Sequence, residues 1–73
     1  MQETQFRLEG DYIELNQLLK LEGVVDSGGA GKQLVASGAV RVDGVVELRK
    51  TCKIRAGQVV ELDGVRIVVS AED

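Results

Sequence analysis

The sequence predicts an α+β fold in which two short helices pack on a small antiparallel sheet. Three observations carry that expectation. Apolar residues recur at spacings of three and four in the first half of the chain. From Val40 onward they alternate with polar residues, and glycine-containing turns separate the alternating runs. A chain of 73 residues makes one domain, 1–73, and a fold this small buries roughly 60% of its extended-chain surface. With Phe6 and Tyr12 as the only aromatics, its core must be built from Leu and Val.

The first element is a short strand at Gln5–Leu8, with Phe6 and Leu8 on one face. Asp11 and Glu14 then have capping-box spacing, and Leu15, Leu18 and Leu19 follow at helical intervals. Residues 12–22 therefore read as an amphipathic helix that Gly23 ends in a left-handed cap. Ser27 caps a second, short helix that stops at Gly38. Gly28, Gly29 and Gly31 each cost this helix about 1 kcal/mol relative to alanine. That cost implies a close approach to the backbone, by the first helix or by a ligand.

Beyond Val40 the period is two, and Asp43-Gly44 marks a turn. A two-residue loop would set Val40 opposite Glu47, a poor match. A three-residue loop, Val42-Asp43-Gly44, sets Val40 opposite Val46 and places Arg41, Glu47 and Arg49 on the other face. The second register is expected. A turn at Ala56-Gly57-Gln58 leads into Val59–Leu62, and Asp63-Gly64 turns the chain into Val65–Val69, with Glu72 and Asp73 fraying.

Charge is distributed unevenly. The formal net charge is -3, yet residues 32–55 hold six positive and two negative side chains, net +4. Four of those cations, Arg49, Lys50, Lys53 and Arg55, fall within seven positions. A folded chain with this pattern is bipolar, with a positive region able to attract a polyanion. The competing reading is an ordinary solvated charged surface.

Several function classes are excluded. Gly28-Gly29-Ala30-Gly31-Lys32 resembles a phosphate loop, but Asp26 stands where its first glycine belongs and Gln33 where Ser or Thr must follow the lysine. There is no histidine base and Ser27 has no activating partner, so no enzymatic activity and no cofactor are expected. One cysteine and no histidine leave no zinc site and no internal disulfide. Cys52 reads as a small buried hydrophobe in a reduced compartment. No apolar run reaches membrane-spanning length and no signal peptide precedes the domain, which points to a cytoplasmic protein. A monomer is the expected form, with association left open by the sequence.

Phosphate contacts are expected from Lys32, Lys50 and Lys53, with Arg41 and Arg49 in support. Arg55 is equally suited to a phosphate or to a local ion pair, and the backbone at Ser27 and Gly28 offers N–H donors at a helix start. Two other readings stay open at this point. The basic region can meet an acidic protein partner, and the Val-rich sheet edge can add to another sheet.

Leu15, Leu18-Leu19, Gly23, Ser27, Gly31-Lys32, Leu34-Val35, Gly38, Val40, Val42, Asp43-Gly44, Lys53 and Gly57 together resemble the S4-type RNA-binding domain. The match is nearest to its small, stand-alone bacterial form and covers about residues 12–62. The resemblance implies a compact helix-helix-sheet motif, the alpha-L motif, that binds structured RNA, often ribosomal or transfer RNA. It places Ser27, Gly28 and Lys32 in the helix-start pattern, and Lys50 and Lys53 in the basic region after the hairpin turn. Two positions depart from the family: Gly28 replaces a frequent arginine, and Asp43 a frequent asparagine.

Overall fold

The computed structural model describes residues 2–71. The order of elements is β1 (Gln2–Leu8), β2 (Ile13–Glu14), α1 (Leu15–Leu21), α2 (Gly28–Ala36), β3 (Arg41–Val42), β4 (Val45–Val46), β5 (Lys53–Ile54), β6 (Val59–Leu62) and β7 (Val65–Ala71). Five strands form one sheet in the order β1-β7-β6-β3-β4, while β2 and β5 make a separate two-stranded ladder. The expected two helices on a sheet are present. The sheet is mixed, because β1 runs parallel to β7 while the other pairs are antiparallel. Glu72 and Asp73, expected to fray, lie outside the described residues.

Strand alternation builds the core. Leu8, Val42, Val60, Leu62, Ile67 and Val69 point to one face of the sheet and are buried there against Leu15, Leu18, Leu19 and Val35 of the helices. Burying one such side chain stabilises the fold by about 1.5–3 kcal/mol. The opposite face is charged. Arg41, Glu61, Arg66 and Glu3 occupy matched positions across β3, β6, β7 and β1, forming one row of alternating sign.

Helix ends follow the glycines. Gly23 (φ 76°) and Gly38 (φ 84°) adopt the left-handed conformation that terminates α1 and α2. Ser27 caps α2, its hydroxyl oxygen accepting from the Ala30 N–H at 3.0 Å. The start of α1 differs from expectation. Ile13 and Glu14 are extended and pair with Ile54 and Lys53, so the helix begins at Leu15 and neither Asp11 nor Glu14 caps it through its side chain. Long-range pairing overrides the local capping pattern.

The first hairpin is also tighter than expected. Arg41 pairs with Val46 and Val42 with Val45, and the Glu47 N–H donates to the Val40 carbonyl at 3.0 Å. The loop is Asp43-Gly44 alone, both at positive φ (52° and 84°), as a twist-matched two-residue hairpin requires. Asp43 is fixed there because its carboxylate accepts from the Val59 N–H at 2.9 Å and from Gln58 Nε2 at 3.3 Å. Val45 and Val46 are left exposed on the outer strand, so matching apolar partners does not set the register.

Candidate nucleic-acid interface

The first turn of α1 is where distant parts of the sequence meet. On one side, the Leu15 N–H donates to the Cys52 carbonyl at 2.8 Å, tying α1 to the segment that carries the basic cluster. On the other side lies the first turn of α2. A Cβ added at Gly28 would stand 3.0 Å from Gln17 Nε2, and one added at Gly31 only 2.7 Å from the Asn16 carbonyl oxygen. The close approach implied by the glycines is therefore made by α1. Lys32 lies one turn beyond Gly28 on the same helical face and is exposed.

The start of α2 suits an anion. Of its first N–H groups, Ala30 and Gly31 donate to the Ser27 hydroxyl and carbonyl, whereas those of Gly28 and Gly29 have no acceptor among the described residues. No acidic residue occupies the first turn. The nearest carboxylate in sequence is that of Asp26, just before the Ser27 cap.

Lys50 and Thr51 form the tip of a turn closed by the Cys52 N–H donating to the Arg49 carbonyl at 3.1 Å. Arg49, Thr51, Cys52 and Lys53 line a shallow recess beside it. Lys53 extends over the Tyr12 ring, its ammonium 4.9 Å from the centroid, and lies opposite Glu14 in the β2–β5 ladder. The ammonium groups of Lys32, Lys50 and Lys53 make no ion pair among the described residues.

The arginines behave differently. Arg49 grips Glu47 with its Nε at 3.0 Å and a terminal nitrogen at 2.9 Å, while its backbone N–H binds the same carboxylate at 2.9 Å. These bonds hold the Glu47 carboxyl down at about 2 and raise the Arg49 guanidinium above its ordinary value. Arg49 is therefore part of the loop's internal frame. Arg55 is exposed, donates to the Asp11 carbonyl at 3.4 Å, lies 5.7 Å from the Tyr12 centroid and makes no ion pair among the described residues.

Arg41 does not share a sheet face with Glu47 and Arg49 as expected. The tighter hairpin register pairs it with Val46 and Glu61, on the face turned away from the helices. Arg49 lies outside the strands altogether. The fold thus brings the 49–53 segment and the start of α2 to one helix turn, but sends Arg41 elsewhere.

Sequence reasoning missed three contributors. Tyr12 was read as the first residue of a helix, whereas it is a platform beneath Lys53 and Arg55. Glu47 was read only as a sheet-face charge, although a carboxylate two residues before Arg49 is a local signal for the fork they form. Asn16 is 2% exposed, with its amide 3.5 Å from the Gly28 carbonyl and its Oδ1 without a partner. A polar residue inside the Leu15–Leu19 stripe was the available signal. Cys52 is half-buried rather than fully buried, with Sγ 3.5 Å from Glu47, and its thiol is pushed up first by burial and then by that carboxylate.

Two helices docked on a mixed sheet, with a cationic turn beside the paired helix starts, define a small α+β domain of the alpha-L type. The S4 domain model matches residues 6–70, and the chain belongs to that family. It is 52% identical over 60 residues to the YbcJ proteins of Escherichia coli K12 and Shigella flexneri, covering 82% of this chain and 86% of each relative. The solution structure of E. coli YbcJ, described as revealing an αL motif involved in RNA binding, superposes with a TM-score of 0.63. That match has 46% identity over 93% of this chain and 87% of the other.

Proposed function

We propose that this protein is a non-enzymatic, cytoplasmic module that binds structured RNA, with ribosomal or transfer RNA as the favoured class. One observation carries the reading: the first turn of α1 gathers the Gly28–Lys32 turn on one side and the Cys52–Lys53 segment on the other. Lys32, Lys50 and Lys53 are the phosphate-contacting side chains, with the free N–H groups of Gly28 and Gly29 as neutral donors. Arg49 holds the loop in shape, Arg41 on the outer sheet face takes no part in the contact, and Arg55 beside Lys53 on Tyr12 is an auxiliary cation. Family membership and the similarity to YbcJ support the assignment. Contacts of this kind fix orientation on a folded RNA and read little base sequence.

The test is titration of the protein with a structured RNA, a matched single strand and a DNA duplex at several salt concentrations. The structured RNA should bind most tightly. Replacing Lys50 and Lys53 by alanine should weaken binding across RNA sequences and reduce the salt slope by about one per lysine. An unchanged dissociation constant and slope would refute the site. Equal or tighter binding of polyglutamate would replace RNA by an acidic protein partner.

A further inference from the structure

Strand β1 forms a seven-residue outer edge of the sheet, bonded only to β7. The Gln2 N–H donates to the Gly64 carbonyl at 2.8 Å, so in this parallel ladder the even-numbered residues direct their backbone groups toward β7. The N–H and C=O groups of Glu3, Gln5 and Arg7 consequently face outward. They meet no partner among the described residues. The edge carries no proline or lysine, two of the devices that usually discourage pairing with another chain.

We infer that two copies of this protein associate through β1, antiparallel, about a two-fold axis at Gln5. This register aligns all seven residues of one strand with those of the other and joins outward N–H groups to outward carbonyls. It also sets Glu3 opposite Arg7 of the second copy, and Arg7 opposite Glu3 of the second copy, a self-complementary arrangement. The outer face already carries the row Arg41, Glu61, Arg66, Glu3. Arg7 of the second copy is its next member, with the sign the alternation demands.

The inner face agrees. Leu21 is 62% exposed, and with Phe6, Leu8, Tyr12, Ile13 and the charged Arg7 and Glu9 it lines a recess of about 400 Å³ beside this edge. In the paired register Gln2 and Thr4 of the second copy lie along that recess and shield it from water. Continuous pairing of β1 with β1 joins two five-stranded sheets into one. The inference does not depend on RNA binding, since it uses only the edge and its charges.

Sedimentation equilibrium of the full chain from micromolar to about 1 mM protein should show a monomer–dimer equilibrium. Arg7→Glu and Glu3→Arg should each raise the dimer dissociation constant about tenfold by placing like charges opposite each other. The double exchange E3R/R7E should return it to within about fivefold of the starting value, because Arg66 then borders an arginine. Gln5→Pro removes the central outward N–H, leaves the β7 ladder intact, and should abolish the dimer with an unchanged circular dichroism spectrum. A monomer throughout, a dimer indifferent to R7E and Q5P, or failure of the double exchange to recover affinity would overturn the inference.

Discussion

Asn16 and Gly31 meet backbone to backbone. A Cβ on residue 31 would lie 2.7 Å from the Asn16 carbonyl oxygen and 3.1 Å from its Cα, so no side chain fits between the helices. This contact, more than conformational freedom, explains a glycine in the middle of α2. Gly31→Ala should therefore destabilise the fold by about 1–3 kcal/mol despite alanine's better helix propensity. Gly29→Ala, whose Cβ would meet only the Ser27 hydroxyl at 4.0 Å, should stabilise it by about 0.5–1 kcal/mol. Urea denaturation of the two variants reads both signs.

Ser27 holds the Ala30 N–H and, through its carbonyl, the Gly31 N–H. Ser27→Ala should cost about 1 kcal/mol, and Ser27→Asp should recover most of it. The aspartate, however, puts a carboxylate where the phosphate site is proposed. RNA affinity should fall for Ser27→Asp even as thermal stability returns, which separates the cap from the contact.

Glu47 makes the loop sensitive to acid. Its carboxyl is held at about 2, below the ordinary 4.5, chiefly by hydrogen bonds from the Arg49 side chain and backbone. A depressed carboxyl stabilises the folded loop fully above its ordinary value and loses that contribution as pH falls from about 4.5 toward 2. Amide shifts of residues 47–52 in the folded protein should report an acid transition centred at about 2, and Glu47→Gln should remove it. The same variant should lower the Cys52 thiol and speed its alkylation, because Glu47 is one of the groups raising it. Alkylation at an unchanged rate would separate the thiol from this carboxylate.

The charge map gives a sharper contrast. Arg41→Ala removes a cation from the sheet face turned away from the helices and should leave RNA affinity and salt slope nearly unchanged. Lys32→Ala, at a helix turn beside Gly28, should reduce both. Filter binding at three salt concentrations distinguishes them. A strong loss in Arg41→Ala would move the interface to the outer sheet face.

Much of this was legible in the chain. Ser27, Gly23 and Gly38 marked helix ends by local backbone chemistry that no distant strand contests. What escaped depended on partners far away in sequence. Residues 13 and 14 left the first helix because residues 53 and 54 pair with them. The hairpin register followed the backbone of Asp43, pinned by Val59, rather than a match between valines that the outer strand does not bury. Of the candidate site, Lys50 and Lys53 stand out in the dense cationic run, whereas Lys32 lies apart from it in sequence. The separate fates of Arg41 and Arg49 required the register, since a shift of one residue turns a strand side chain to the other face.

The single hydrogen bond from the Leu15 amide to the Cys52 carbonyl makes the cationic loop part of the helix it adjoins. Anything that grips or displaces the loop must also tighten or loosen the opening of α1. Amide exchange at Leu15, itself fully buried, should therefore respond when the loop is held or shifted.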